Sequence, residues 1–193
     1  MIALVPALQD GHNTAWENKV PVTLSGAISH VFLVHNWNPA WIYQIDGPAW
    51  SVATEWHIYF IMPLVLLPLC RWLNPAAMLV VALALGPALT YLFPSTSGAN
   101  YWMIGLFALG MIAALLTVRG VRTVPLWAFG WAGIAALAVA AIWMLVHAPE
   151  TRPAQMISDT LVGAGVALGL VAMGRSAVIG RPSAGRRVLE SRT

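Results

Sequence analysis

One stretch of the sequence reads Leu126-Trp-Ala-Phe-Gly-Trp-Ala-Gly-Ile-Ala-Ala-Leu-Ala-Val-Ala-Ala-Ile-Trp-Met-Leu-Val146, and it contains no charged side chain. An α-helix needs about 20 apolar residues to cross the hydrocarbon core of a membrane, which is roughly 30 Å thick. A run of this length and composition is typical of a transmembrane helix. This stretch therefore predicts a membrane protein, and the remaining sequence follows the same pattern.

Further apolar runs of similar length accompany this stretch, and the connections between them are short and rich in proline and glycine. We predict four more helices, at Trp50–Cys70, Ala76–Phe93, Tyr101–Val118 and Met156–Met173. Short connections make consecutive helices antiparallel neighbours. The sequence thus predicts an all-α fold, a polytopic transmembrane helix bundle with five spans in residues 50–175, within a single membrane domain over residues 1–193.

The composition supports this fold class. Of the 193 residues, 59% are hydrophobic and only 9% are charged. Soluble domains carry roughly 25% charged residues, so this chain has too few charges for a water-facing surface. Its ten basic residues form no basic stripe, which excludes a nucleic-acid-binding domain. The single cysteine, Cys70, excludes an intrachain disulfide and a cysteine-built metal site. The predicted partner is therefore the lipid bilayer, and no nucleic acid.

Most arginines fall on alternate connections, which places them on one side of the predicted bundle. They are Arg71, Arg119, Arg122, Arg175, Arg181, Arg186 and Arg187. By the positive-inside rule, that side is cytoplasmic. Residues 1–49 then form an outer segment, and residues 176–193 form a basic cytoplasmic tail.

The outer segment contains one moderately apolar stretch, Val20–Val34, which is interrupted by proline, glycine, hydroxyl and histidine residues. We predict a short interfacial or re-entrant helix there. A sixth membrane span is the alternative for the same residues.

A small-residue motif, Gly165-Val-Ala-Leu-Gly169, lies in the last predicted helix. Small residues four positions apart let the backbone of a neighbouring helix approach closely. We therefore predict that this motif marks a helix–helix contact.

The first predicted helix carries the residues that suggest chemistry. Its start reads Asp46-Gly-Pro-Ala-Trp-Ser-Val-Ala-Thr-Glu-Trp-His-Ile-Tyr-Phe-Ile-Met-Pro63. Ser51, Glu55 and Tyr59 recur every four residues, which places a hydroxyl, a carboxylate and a phenol on one helix face. Asp46 is positioned to cap the helix, and Pro63 predicts a kink because it has no backbone N–H.

Glu55 is the residue that most requires an explanation, because an acidic side chain near the centre of a span costs roughly 2.5–3.5 kcal/mol. We expect it to face a protein-lined polar cavity, as a catalytic or substrate-orienting carboxylate. The alternative is a structural carboxylate near the interface, paired with an arginine or a histidine. His57 lies about 200° around the helix and does not share this face. His30 and His35 match no usual zinc spacing, so no metal site is predicted.

The stretch Pro48-Ala-Trp50-Ser51-Val-Ala-Thr-Glu55-Trp-His-Ile-Tyr59-Phe-Ile-Met-Pro63 resembles the Trp-Ser-Leu-x-x-Glu-x-x-x-Tyr-x-x-x-Pro signature of the acyltransferase 3 family. The tryptophan, serine, glutamate, tyrosine and proline all fall at the family's spacings, and Val52 replaces the usual leucine. Members of this family are integral membrane O-acyltransferases.

The resemblance implies transfer of an acyl group, often acetyl, from cytoplasmic acyl-CoA to a hydroxyl of a cell-surface glycan or a similar acceptor. Acyl-CoA (acetyl-CoA) is then the donor substrate, and no permanently bound cofactor is implied. Glu55, Ser51 and Tyr59 carry over as catalytic candidates and Trp50 as a substrate-binding candidate. His57 is a further candidate for substrate binding. The expected location is the bacterial inner (plasma) membrane, as a multi-pass protein.

One part of the family pattern is missing. The family's catalytic histidine and its arginine lie in an Arg-x₁₀-His-like motif on the first helices, whereas the first arginine of this chain is Arg71. We therefore expect the chain to be an internal fragment of such an enzyme, inactive by itself because it lacks the general base. Two alternatives stay open: a helical transporter that performs no chemistry, and a membrane subunit whose Glu55 pairs with a partner's cation.

Overall fold

The computed structural model describes residues 22–120, 124–147 and 151–180. These residues form helices and no β-strand, which confirms the all-α prediction. The helices are α1 (Leu24–Val31), α2 (Ala49–Ile61), α3 (Leu67–Trp72), α4 (Pro75–Leu92), α5 (Met103–Arg119), α6 (Leu126–Val146) and α7 (Arg152–Gly180). A wide π-helical turn, Met62–Leu66, joins α2 to α3, and two 3-10 turns lie at His35–Trp37 (the first turn) and Pro94–Ala99 (the second turn).

Within the described residues, four helices are long and apolar enough to cross a membrane. They are the continuous rod Ala49–Trp72, then Pro75–Leu92, Leu126–Val146 and Arg152–Ala177. The shorter apolar helix α5 has 17 residues. At about 1.5 Å per residue, α5 reaches roughly 26 Å, close to the thickness of the hydrocarbon core. Helices thus lie at all five predicted positions, and the helical membrane bundle is confirmed as the fold class.

Helix α7 is longer at both ends than the predicted span Met156–Met173. Residues 176–180, which the sequence analysis assigned to a tail, continue this helix. The remainder of the predicted tail, residues 181–193, lies outside the described residues, as do residues 1–21.

The chain divides into two compact units, residues 1–105 and 106–193. In the first unit, α1 begins at the Thr23 hydroxyl, which accepts a hydrogen bond from the Gly26 N–H at 3.0 Å. With 8 residues, α1 measures about 12 Å and is too short to span a membrane. The predicted short helix is therefore present within Val20–Val34, and the sixth-span alternative is not supported.

Helix α2 starts and ends differently from the sequence expectation. The Asp46 side chain does not cap it; instead, the backbone carbonyl of Asp46 accepts from the Ala49 N–H at 3.2 Å, and Pro48 precedes the helix without a side-chain cap. Pro48 already fixes a helical backbone angle at this position, so no side-chain cap is required to begin the turn. At Pro63 the rod continues through the π-helical turn, because a wider turn accommodates the missing N–H.

The rod and α4 are joined by a tight connection at Asn74. The Asn74 side chain accepts a hydrogen bond from the Ala77 N–H at 2.8 Å, and Pro75 occupies the first helical position. Further along, α4 packs against the start of α5 at Gly86. A β-carbon at Gly86 would lie 2.5 Å from the Tyr101 carbonyl oxygen, so only glycine permits this approach.

In the second unit, α6 and α7 pack as an antiparallel pair through small residues. A β-carbon at Gly133 would lie 2.9 Å from the Gly165 carbonyl oxygen and 3.2 Å from the Gly169 nitrogen. The helix–helix contact predicted at Gly165–Gly169 is therefore confirmed. The indole of Trp143 donates to the Ala154 carbonyl at 3.3 Å and ties the end of α6 to the start of α7.

Candidate functional site

Helix α2 has two different faces, and the predicted catalytic residues lie on the exposed one. Glu55 and Tyr59 are exposed. The opposite face carries Ala53, Thr54 and Ile58, which are all buried. Within residues 22–105, only the buried face packs closely against other residues, so the other face is left available to a substrate or to another protein surface.

The predicted residues of the exposed face make few contacts of their own. Ser51 is half-buried and donates its hydroxyl to the Pro48 carbonyl at 3.1 Å. Trp50 is also half-buried, and Tyr59 is 58% exposed. Glu55 forms no hydrogen bond or ion pair with any residue that the structure describes. Its carboxylate, about 9 Å from the start of α2, is thus free to accept hydrogen bonds from outside the unit.

The expectation that Glu55 faces a protein-lined cavity is wrong for the described residues. The physical reason is the composition of the buried face. Ala53 is small, so the two 3-10 turns can approach α2 closely, and the Thr54 hydroxyl is hydrogen-bonded within this contact. This face packs closely against the rest of the unit. The rotation of α2 that buries Ala53 and Thr54 leaves Glu55 outward, because Glu55 lies about 200° and 100° around the helix from these two residues.

Thr54 is the residue that fixes this rotation. Its hydroxyl accepts from the Asn36 amide at 3.2 Å and lies 3.0 and 3.2 Å from the carbonyl oxygens of Trp50 and Ala99. These contacts connect α2 to both turns, and Asn36 is completely buried. Each such hydrogen bond contributes about 1 kcal/mol, while an unpaired buried partner costs about 1–3 kcal/mol. By fixing the rotation of α2, Thr54 also keeps position 55 on the exposed side of the helix.

Three imidazoles lie beside this buried face, and we name His30, His35 and His57 the histidine cluster. The rings of His30 and His35 stack with centroids 3.8 Å apart and planes within 6°. His57 stacks on Trp37 at 5.2 Å. The His30 Nδ1 lies 2.8 Å from the Gly26 carbonyl oxygen, which requires a proton on that nitrogen.

The cluster contains several buried nitrogens that form no hydrogen bond of good geometry with a described residue. They are both ring nitrogens of His35 and of His57, and Nε2 of His30. Burial lowers the pKa of His35 below its ordinary value of 6.5, and the adjacent His30 lowers this pKa further. His35 is therefore a neutral imidazole at neutral pH.

His57 lies away from Glu55, as the helix geometry predicts, because its ring is held against Trp37. Its role in substrate binding stays a prediction. Within residues 22–120, 124–147 and 151–180, no group of three or more histidine, cysteine, aspartate or glutamate side chains is arranged to hold a metal ion.

The buried polar residues that organise this site, namely His35, Asn36 and Thr54, were not predicted from the sequence. One signal was available for Thr54, since it follows Ala53 and lies four residues before Ile58, on a face with small and apolar neighbours. No such signal exists for Asn36, because its partner lies 18 residues away in the chain.

Comparison with known proteins connects this site to a family. The model of the acyltransferase 3 family, described as an acyltransferase domain, matches residues 2–190. The match covers nearly the whole chain and includes the signature at 50–63. Neither the curated proteins nor the solved structures contain a match.

Proposed function

Because the chain belongs to the acyltransferase 3 family, we propose that it is a membrane-bound O-acyltransferase, with acyl-CoA as donor and a glycan hydroxyl as acceptor. Family membership supports acyl transfer by a membrane protein in general. The acetyl group, the cell-surface glycan and the bacterial inner membrane are the specific parts of this proposal.

The observation that carries the proposal is an exposed carboxylate in a membrane-spanning rod. Glu55 lies within Ala49–Trp72 and has no partner among the described residues. Leaving such a charge against lipid tails costs roughly 2.5–3.5 kcal/mol. We infer that the Glu55 face meets a polar surface in the membrane, formed by the reacting substrate and by the segment that supplies the catalytic base.

The proposed reaction assigns a role to each residue of this face. The acceptor hydroxyl oxygen bonds to the acyl carbon, the carbon–sulfur bond breaks, and the hydroxyl proton passes through the base to the CoA thiolate. Glu55 accepts a charge-assisted hydrogen bond, from either the imidazole of that base or the acceptor hydroxyl. Ser51 and Tyr59 supply neutral hydrogen bonds along the same side of α2.

Trp50 and His57 are proposed to bind substrate rather than to move protons. Trp50 lies one residue before Ser51 at the start of α2, where its half-buried ring borders the exposed face. His57 lies on another side of the helix, with its ring held by Trp37. We therefore assign His57 contacts with a part of the substrate remote from the reacting hydroxyl.

Radiolabelled acyl-CoA tests this function against the transporter alternative. Membranes containing the full-length protein are supplied with acetyl-labelled acetyl-CoA. The label incorporated into glycan and the uptake of solute are measured in parallel. We expect alkali-labile label on glycan, since an oxygen ester is formed, and none in membranes without the protein. Uptake of a solute with all label remaining on CoA would contradict the proposal.

A further inference from the structure

The segment 24–37, which we call the cap segment, contains α1 and the first turn. It contacts α2 through the Asn36–Thr54 hydrogen bond and the Trp37–His57 stack. Its own fold depends on the stacked rings of His30 and His35, and His35 has no exposed surface. The contact between the cap segment and α2 is therefore built around imidazoles.

The charged groups around His35 offer it little compensation for a proton. His30 on α1 and His57 on α2 are both imidazoles, and each would repel a cation at His35. Two groups raise the pKa of His35: the Ala49 backbone, through a hydrogen bond, and Asp46 in the loop before α2, the one carboxylate among the described residues that acts on this ring, with the smallest effect. The second turn, Pro94–Ala99, contains no ionisable side chain. Burial and the adjacent His30 outweigh these two groups, so a proton on His35 would be buried without sufficient compensation.

We propose that the histidine cluster makes the cap segment a proton-sensitive cover of α2, which packs at neutral pH and loosens in acid. This inference goes beyond acyl transfer and does not depend on it. It requires only the packing of a segment that contains His30 and His35 against a membrane helix that carries His57. Its consequence is that acid exposes the buried face of α2 around Thr54.

The direction of the effect follows from proton linkage. Burial lowers the pKa of His35 in the packed state, whereas the released segment keeps the ordinary value of 6.5. Above pH 6.5 neither state binds the proton, so the packing does not depend on pH. Below 6.5 the released state binds it first, and the equilibrium shifts toward release by up to about tenfold per pH unit.

A cysteine at a buried position within the cap segment measures this release. Ser29 is buried on α1, and Ser29→Cys conserves its size. The variant is made with Cys70→Ser in the full-length protein, reconstituted in phospholipid nanodiscs. The rate of its reaction with a methanethiosulfonate reagent is measured from pH 8 to pH 5. Protection is the factor by which this rate is lower than that of the detergent-unfolded chain at the same pH. We expect constant protection above pH 7 and a loss of up to about tenfold per unit below 6.5.

Two further variants test whether His35 is the responsible group. His35→Phe keeps a planar ring and cannot ionise, so its protection should be constant over the whole range. His147→Phe removes an exposed histidine that stacks on Trp143 in the second unit, and it should retain the acid-dependent loss. If His35→Phe fails to fold, His35→Gln replaces it. Constant protection in the parent protein, or an undiminished loss without an ionisable residue 35, would overturn the inference.

Discussion

The two compact units differ in what their helices bury. In the second unit, α6 and α7 approach through Gly133 and Gly165, and the contact consists of backbone and apolar side chains such as Leu137. In the first unit, the buried surface of α2 meets Asn36, His35 and other polar groups in irregular turns. Small residues suffice to pack helices in a membrane, whereas buried polar groups are costly unless they are paired.

This difference indicates where the chemistry of the chain lies. The contact between α6 and α7 is explained by the packing of small and apolar residues. The first unit keeps unpaired imidazole nitrogens and exposes a carboxylate on a spanning helix, although neither feature stabilises the fold. We therefore propose that the first unit carries the functional residues of this acyltransferase-family chain.

The largest effect is expected where the second unit is most tightly packed. Gly133→Leu places side-chain atoms against the α7 backbone, which cannot move aside, and should destabilise the unit by about 3 kcal/mol. Gly169→Ala is the matched control, because a β-carbon there has no atom within 4 Å. Thermal unfolding in detergent micelles measures both variants. Equal stability of Gly133→Leu and the parent protein would contradict the packing described for α6 and α7.

A smaller effect is expected in the first unit from its central hydroxyl. Thr54→Val conserves shape but leaves the buried Asn36 amide without its acceptor, at a cost of about 1–3 kcal/mol. Thr117→Val is the control, since the Thr117 hydroxyl donates only to the Ala113 carbonyl of its own helix. The same unfolding measurement applies. If both variants lose equal stability, Thr54 does not hold the turns to α2.

The smallest effect is expected at the connection between α6 and α7. Trp143→Phe removes the indole hydrogen bond to the Ala154 carbonyl and should cost about 1 kcal/mol. Trp131→Phe serves as the control, because Trp131 is 66% exposed on α6. If Trp131→Phe lowered the free energy of unfolding as much as Trp143→Phe does, the hydrogen bond from Trp143 would not account for the loss.

The contrast between the units also explains what the sequence could predict. Hydropathy alone predicted both ends of α6 correctly, because a charge-free run bounded by Pro125 and His147 has the length of a single membrane-spanning helix. The α6–α7 contact was likewise readable from the Gly165–Gly169 spacing. Both features are local, and each depends on residues within one helix.

The orientation of Glu55 was not readable in this way. The spacing of Ser51, Glu55 and Tyr59 correctly places them on one side of α2, but it does not state whether that side is buried. Whether that side is buried depends on Thr54, whose hydroxyl contacts the carbonyl of Ala99, 45 residues further along the sequence. Long-range contacts of this kind leave no periodic pattern, which also explains why the histidine cluster was missed.

The most direct test of the central claim is the acyl-transfer rate of Glu55→Gln, measured in membranes of the full-length protein with labelled acetyl-CoA. The substitution conserves size and removes the charge, so transfer should fall by roughly 100-fold or more while the protein level is unchanged. Asp46→Asn, which removes an exposed carboxylate from the loop before α2, should keep the parent rate. Normal transfer by Glu55→Gln at equal protein level would contradict the assignment of the exposed α2 face as the site of reaction.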